Sequence, residues 1–105
     1  MSREARVAKN ETVFREVNER IRDLTAYDEQ IEFLCECGDG ECLKPILMST
    51  ADYERVRAEP TWFLVVPGHV FLEAETVVEE HDLFQIVQKR EGVPAAIAIE
   101  TDPRD

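Results

Sequence analysis

The stretch Cys35-Glu36-Cys37-Gly38-Asp39-Gly40-Glu41-Cys42 contains all three cysteines of the chain and two of its four glycines. Its C-x-C-x4-C spacing predicts most of a zinc site, because structural zinc takes four protein ligands in a tetrahedron and prefers thiolate and imidazole. Two sulfurs separated by one residue converge only where the backbone turns sharply. Gly38 is expected to supply that turn with a positive φ, and Gly40 to relax the loop so that Cys42 returns. The signal is weaker than a doubled CxxC, since only three thiols exist.

A catalytic or redox thiol is the competing chemistry. Such a thiol needs positive charge or a helix N-terminus to lower its pKa. Glu36, Asp39 and Glu41 surround these sulfurs with carboxylates instead. The same acids make the loop polar and argue against three cysteines buried merely as small apolar side chains. In a cytosolic chain with an odd cysteine count, a disulfide framework is the weaker reading.

The fourth ligand must come from elsewhere, and the chain has two histidines. His69 follows Pro67-Gly68, a stiff turn that ends an apolar run, and is the preferred ligand. His81 lies among Glu79, Glu80 and Asp82, where a solvated histidine needs no further explanation. The metal set expected is therefore Cys35, Cys37, Cys42 and His69. His81, a carboxylate or a water is the alternative for the fourth place.

The flanks predict an α+β fold. Residues 31–35 alternate like a strand entering the loop, and residues 43–48 return as its partner, with Pro45 suited to an edge. The cysteine loop then forms the tip of a hairpin. Upstream, residues 3 to about 25 carry Val7, Phe14, Val17, Ile21 and Leu24 at helical spacing, a narrow apolar stripe. Glu11 stands four before Arg15 and Glu16 four before Arg20, the favourable order for exposed helix ion pairs. Asn10 falls on the stripe, where it would set the register of a helix pair; packing on the chain's own body is the simpler use.

Residues 25–30 read as a polar connection with Asp28 and Glu29 solvated. Ser49 is an expected N-cap, with Asp52 three residues on, for a short helix ending before Pro60. Residues 62–66, Trp-Phe-Leu-Val-Val, are the strongest strand signal and are expected at the centre of a sheet. Two further strands are expected over 75–79 and 84–89, and residues 70–74 fit neither pattern. A last helix starts at Pro94 and stops before Pro103. The chain is expected to be one domain, an N-terminal helix over 1–28 and a zinc-binding body over 31–105.

With 105 residues and 44% apolar content the chain has enough material for a core of its own. Twelve basic against 23 acidic residues give a net charge of −11. That field disfavours nucleic acid and anionic lipid, and favours a protein partner with a basic surface. The opening Met1-Ser2-Arg3-Glu4-Ala5-Arg6 lacks an apolar signal core and no run is long enough to span a bilayer, so a cytoplasmic location is expected.

Several segments together resemble a known group. They are Asn10-Glu11, Phe14-Arg15-Glu16-Val17-Asn18-Glu19-Arg20, Phe33-Leu34-Cys35-Glu36-Cys37-Gly38-Asp39, Cys42, Tyr53-Glu54-Arg55-Val56-Arg57, Phe63-Leu64-Val65, Pro67-Gly68-His69 and Asp102-Pro103-Arg104. The chain resembles a family of small, uncharacterised proteins found mainly in high-GC Gram-positive bacteria. The resemblance implies that Cys35, Cys37, Cys42 and His69 belong together. It brings no assigned activity.

Phosphate-loop, dinucleotide, G-x-S-x-G and H-E-x-x-H motifs are absent from the sequence. A zinc enzyme would need an open coordination position and a base, for which Glu36 and Glu73 are the candidates. The helix around Tyr53 carries Arg55 and Arg57 but also Asp52, Glu54 and Glu59, a poor face for DNA. The expected function is a non-catalytic zinc-binding domain acting through protein contacts as a regulatory adaptor, as a monomer or a helix-mediated homodimer. A thiol/zinc redox switch is the alternative, and a small metalloenzyme the third reading.

Overall fold

The computed structural model describes residues 3–25 and 30–104. The fold is α+β, with three helices and two small antiparallel sheets among the described residues. Helix α1 (Arg3–Asp23) leads to strands β1 (Gln30–Leu34) and β2 (Pro45–Ser49), then helix α2 (Thr50–Arg57). Strands β3 (Trp62–Val65), β4 (Glu75–Glu80) and β5 (Gln85–Lys89) follow, and helix α3 (Val93–Glu100) closes the order. Most of the connection expected over 25–30, with Asp28 and Glu29, lies outside the described residues.

β1 and β2 form the hairpin that carries the cysteine loop at its tip. Ile31 stands opposite Met48 and Phe33 opposite Ile46, so period-two alternation turns these four inward and Glu32 and Leu47 outward. The hydrogen bond from Cys35 N–H to the Lys44 carbonyl, 2.9 Å, extends the ladder one rung into the loop. Ser49 caps α2, its hydroxyl accepting the Asp52 N–H at 3.1 Å, as the local sequence requires.

The second sheet has the order β3-β5-β4. The apolar run 62–66 is therefore an edge strand and β5 is central, contrary to expectation. The run is apolar because Phe63, Leu64 and Val65 are all buried, and its free edge is covered from the hairpin side. Glu36 N–H donates to the Leu64 carbonyl at 2.8 Å, and the Glu36 carboxylate accepts the Leu64 N–H at 3.1 Å. An edge whose polar groups are satisfied this way is closed to further pairing.

Helix α1 packs on β1 and α3, but not through the expected stripe alone. Phe14 is buried, whereas Leu24 is 89% exposed. The buried face is completed by Glu11, Arg15 and Asn18, at the i, i+4 and i+7 positions of one helix side. Glu11 and Arg15 do not form the expected surface pair. Glu11 meets Lys89 at the end of β5. Arg15 donates to the Pro60 carbonyl (2.8 Å) and the Ala98 carbonyl (2.9 Å), and stands 4.7 Å over the Phe63 ring. Asn18 fits the Leu34 backbone in both directions at 2.8 Å, donating to its carbonyl and accepting its N–H.

Candidate metal centre

The hairpin tip and the turn after β3 meet at one point. Cys35, Cys37 and Cys42 are buried and His69 half-buried, and their four ligand atoms all lie within 4.8 Å of one another. His69 Nδ1 stands 3.8 Å from Cys35 Sγ and 3.6 Å from Cys42 Sγ. A tetrahedron with metal–sulfur bonds near 2.3 Å and a metal–nitrogen bond near 2.0 Å has edges of roughly 3.5–3.8 Å. Donor type and spacing fit a metal ion.

Local sequence explains the convergence. Asp39 accepts the Glu41 N–H on its side chain (2.9 Å) and the Cys42 N–H on its carbonyl (3.0 Å), folding the loop back. Gly38 does not take the positive φ expected of it; among the described residues the positive-φ glycines are Gly68 and Gly92. A Cβ at Gly38 would instead stand 2.2 Å from Val7 Cγ1, so its missing side chain is what lets α1 lie against the loop. Asn10 secures the same contact by donating to the Gly38 carbonyl at 2.9 Å. The other partner, His69, is presented by Gly68, whose φ of +90° is the conformation that favours glycine. His69 N–H closes that turn onto the Val66 carbonyl at 2.9 Å.

Backbone polar groups also act on the sulfurs. Val66 N–H donates to Cys35 Sγ at 3.2 Å, and the backbone at Asp39 and at Lys44 favours the charged form of Cys37 and of Cys42 respectively. Such donors stabilise thiolate. Within the cluster, the hydrogen bond from Cys35 and the backbone donor pull the Cys37 thiol down to about 5, against its burial. Cys35 is pushed up, by its bond to Cys37 and by burial, and Cys42 is pushed up by burial.

His81 is elsewhere, paired with Glu79 at 2.8 Å and stacked on Phe84. Glu36 corrects a second expectation. It is fully buried and does not make the loop polar, because Arg57 takes its carboxylate in a two-pronged bond of 2.6 and 3.1 Å. Asn18 adds a third donor at 2.8 Å. Burial opposes the Arg57 charge, but Glu36 more than offsets it and holds the guanidinium above its ordinary pKa. The adjoining Tyr53 phenol, pushed up by burial and by Glu36, stays protonated and stacks on Phe33 at 4.2 Å. Arg57, Asn18 and Asn10 support the loop from far along the chain, and no spacing rule in the sequence singles them out.

Of the two candidate bases, Glu36 is held by Arg57, and Glu73 is an exposed partner of Arg3 at 3.8 Å. A cleft of about 510 Å³ opens beside the centre, with Cys37 and His69 in its wall and Arg3 and Arg6 at its rim. Among the described residues no helix is long and apolar enough to cross a membrane. No family model matches the chain, and no curated protein or solved structure does either.

Proposed function

We propose that Cys35, Cys37, Cys42 and His69 bind Zn²⁺ as a closed structural site in a non-catalytic, cytoplasmic domain that acts through protein contacts, as a regulatory adaptor does. The observation that carries the metal part is the meeting of three sulfurs and one imidazole nitrogen within 4.8 Å. Soft donors at tetrahedral spacing favour zinc over the oxygen-seeking cations. Four protein donors leave no coordination position for a reacting water, which supports a structural reading over a hydrolytic one. The resemblance to the small bacterial family groups the same four residues.

The net charge of −11 favours a partner with a basic surface. Arg57, one of the two arginines on α2, is buried against Glu36 and is not offered to a phosphate backbone. Asn10 is engaged with Gly38 of its own chain, which supports a monomer over a helix-mediated homodimer.

A thiol/zinc redox switch is the second reading. It is favoured by three free cysteines in one cluster, one of them in the wall of an open cleft. Metal analysis beside a thiol count tests both readings. A structural site predicts stoichiometric zinc and thiols that react only after chelation or unfolding. A protein without bound metal and with three freely titrating thiols overturns the proposal. Zinc release with unfolding at low peroxide favours the switch; resistance favours the structural site. Capture from native lysate that weakens with salt would identify the basic partner.

A further inference from the structure

The cleft of about 510 Å³ beside the metal centre is walled on one side by the first turns of α1 and on the other by the segment that follows His69. Arg3 and Arg6 stand one helical turn apart on the α1 side, and both are exposed. Val7, Val70 and Phe71 supply its apolar surface.

The fold leaves both arginines available. The Arg6 guanidinium has no hydrogen-bond or ion-pair partner among the described residues. Arg3 meets Glu73 at 3.8 Å with side chains 68% and 62% exposed, a pair that water and salt weaken. Arg3 also lies 4.9 Å over the Phe71 ring, a contact that keeps its charge at the cleft. Cations are disfavoured in the first turn of a helix, where unpaired backbone N–H groups already make a positive end. Helix stability therefore gives no reason for Arg3 and Arg6 to stand there. Their charges and that of the helix end instead add together in the cleft, a local positive field on a chain of net charge −11.

We propose that this cleft binds a small organic anion, a carboxylate on a compact apolar body, with the carboxylate taken by Arg6 and Arg3 and the body against Val7, Val70 and Phe71. A guanidinium matches a carboxylate with two parallel N–H bonds. Asp39 and the Cys37 sulfur lie at the floor and oppose an anion there, so the charged head belongs at the rim and the apolar part points inward. Asp39 is itself engaged with the Glu41 N–H at 2.9 Å. A cationic ligand would meet two guanidiniums, and a neutral one would forgo the charge-assisted bonds.

Calorimetric titration of the full chain at low ionic strength with benzoate, benzamide and benzylammonium tests this. Saturable binding of benzoate is expected with a dissociation constant on the order of a millimolar, and binding of the other two at least about tenfold weaker. Diffuse attraction to a chain of this net charge gives the reverse order, with benzylammonium first. Arg6→Met removes the charge from a side chain with no partner in the fold and should weaken benzoate by about tenfold or more. Lys9→Met takes the same charge from the next turn of α1, outside the cleft, and should bind benzoate as the native chain does. Benzoate should also shift the amide signals of Val70 and Phe71 with the same midpoint. Equal losses in the two variants, benzamide or benzylammonium binding as tightly as benzoate, shifts confined to other residues, or no saturable binding of benzoate overturns the proposal. Metal content measured on the same sample keeps this result apart from that of the zinc assignment.

Discussion

Glu36 and Arg57 form a fully buried ion pair directly behind the candidate metal loop, with side-chain exposures of 0% and 1%. Glu36 lies between Cys35 and Cys37 in sequence, and Arg57 ends α2. The same carboxylate accepts N–H groups from Asn18 on α1 and Leu64 on β3. The backbone that sets the C-x-C geometry is thereby tied to two helices and to the second sheet. A charge-assisted fork of this kind fixes orientation as well as distance.

Glu36→Gln should destabilise the fold by about 3–5 kcal/mol, because it leaves the Arg57 guanidinium buried without its counter-charge. It should also lower metal affinity by loosening the loop. Urea unfolding and a chelator competition read the two effects separately. Glu36→Gln combined with Arg57→Met should cost less than the sum of the single changes, since no unpaired charge remains.

Replacing His69 by Ala removes the only nitrogen in the cluster and should weaken zinc binding by more than about tenfold. His81→Ala should leave zinc affinity unchanged and stability within about 0.5 kcal/mol, since its pairing with Glu79 is at the surface. The reverse pattern in a chelator competition would sink the ligand assignment.

Gly38→Ala places a methyl group where Val7 already stands and should destabilise by about 1–3 kcal/mol. Because the clash is with Cγ1 of Val7 before its backbone, Val7→Ala should recover part of the loss in the double variant. A Gly38→Ala protein as stable as the native one would show that α1 does not rest on the loop. Thermal unfolding of the three variants makes the comparison.

Two carboxyls give stability opposite pH slopes. Arg104, and then Arg22, hold Glu54 below its ordinary value of 4.5 against partial burial. Its contribution is present above that value and lost as pH falls through the lower folded one. Burial raises Glu11 well above 4.5, with Lys89 opposing and Glu75 adding to the shift. Its contribution is present below 4.5 and lost as pH rises toward the folded value. Urea midpoints should therefore show the native chain losing ground to Glu54→Gln on acidification, and to Glu11→Gln as pH rises above about 5.

Much of the hairpin was legible because each signal there is local. Alternation over residues 31–35, the cap at Ser49 and the proline-glycine turn before His69 act within a few residues. The helix was legible in extent but not in facing. Val7, Phe14, Val17, Ile21 and Leu24 mark an apolar stripe, yet the buried side is centred on Glu11, Arg15 and Asn18. Their partners, Lys89, the carbonyls of Pro60 and Ala98, and Leu34, lie 16 to 83 residues away. A polar side chain reads as solvated until the group that satisfies it is known.

The sequence by itself determined the α+β order of elements and which side chains are of a type that could hold a metal, because periodicity, capping and ligand type are properties of neighbours along the chain. Only the tertiary structure decided that β5 and not β3 is central, that Gly38 is needed for contact with Val7 and not for its φ, and that Glu36 is buried against Arg57. Those outcomes depend on what lies across the fold from each residue. Burial of a charge, closure of a strand edge and the close approach of a helix are set by partners that the chain brings together only when it folds.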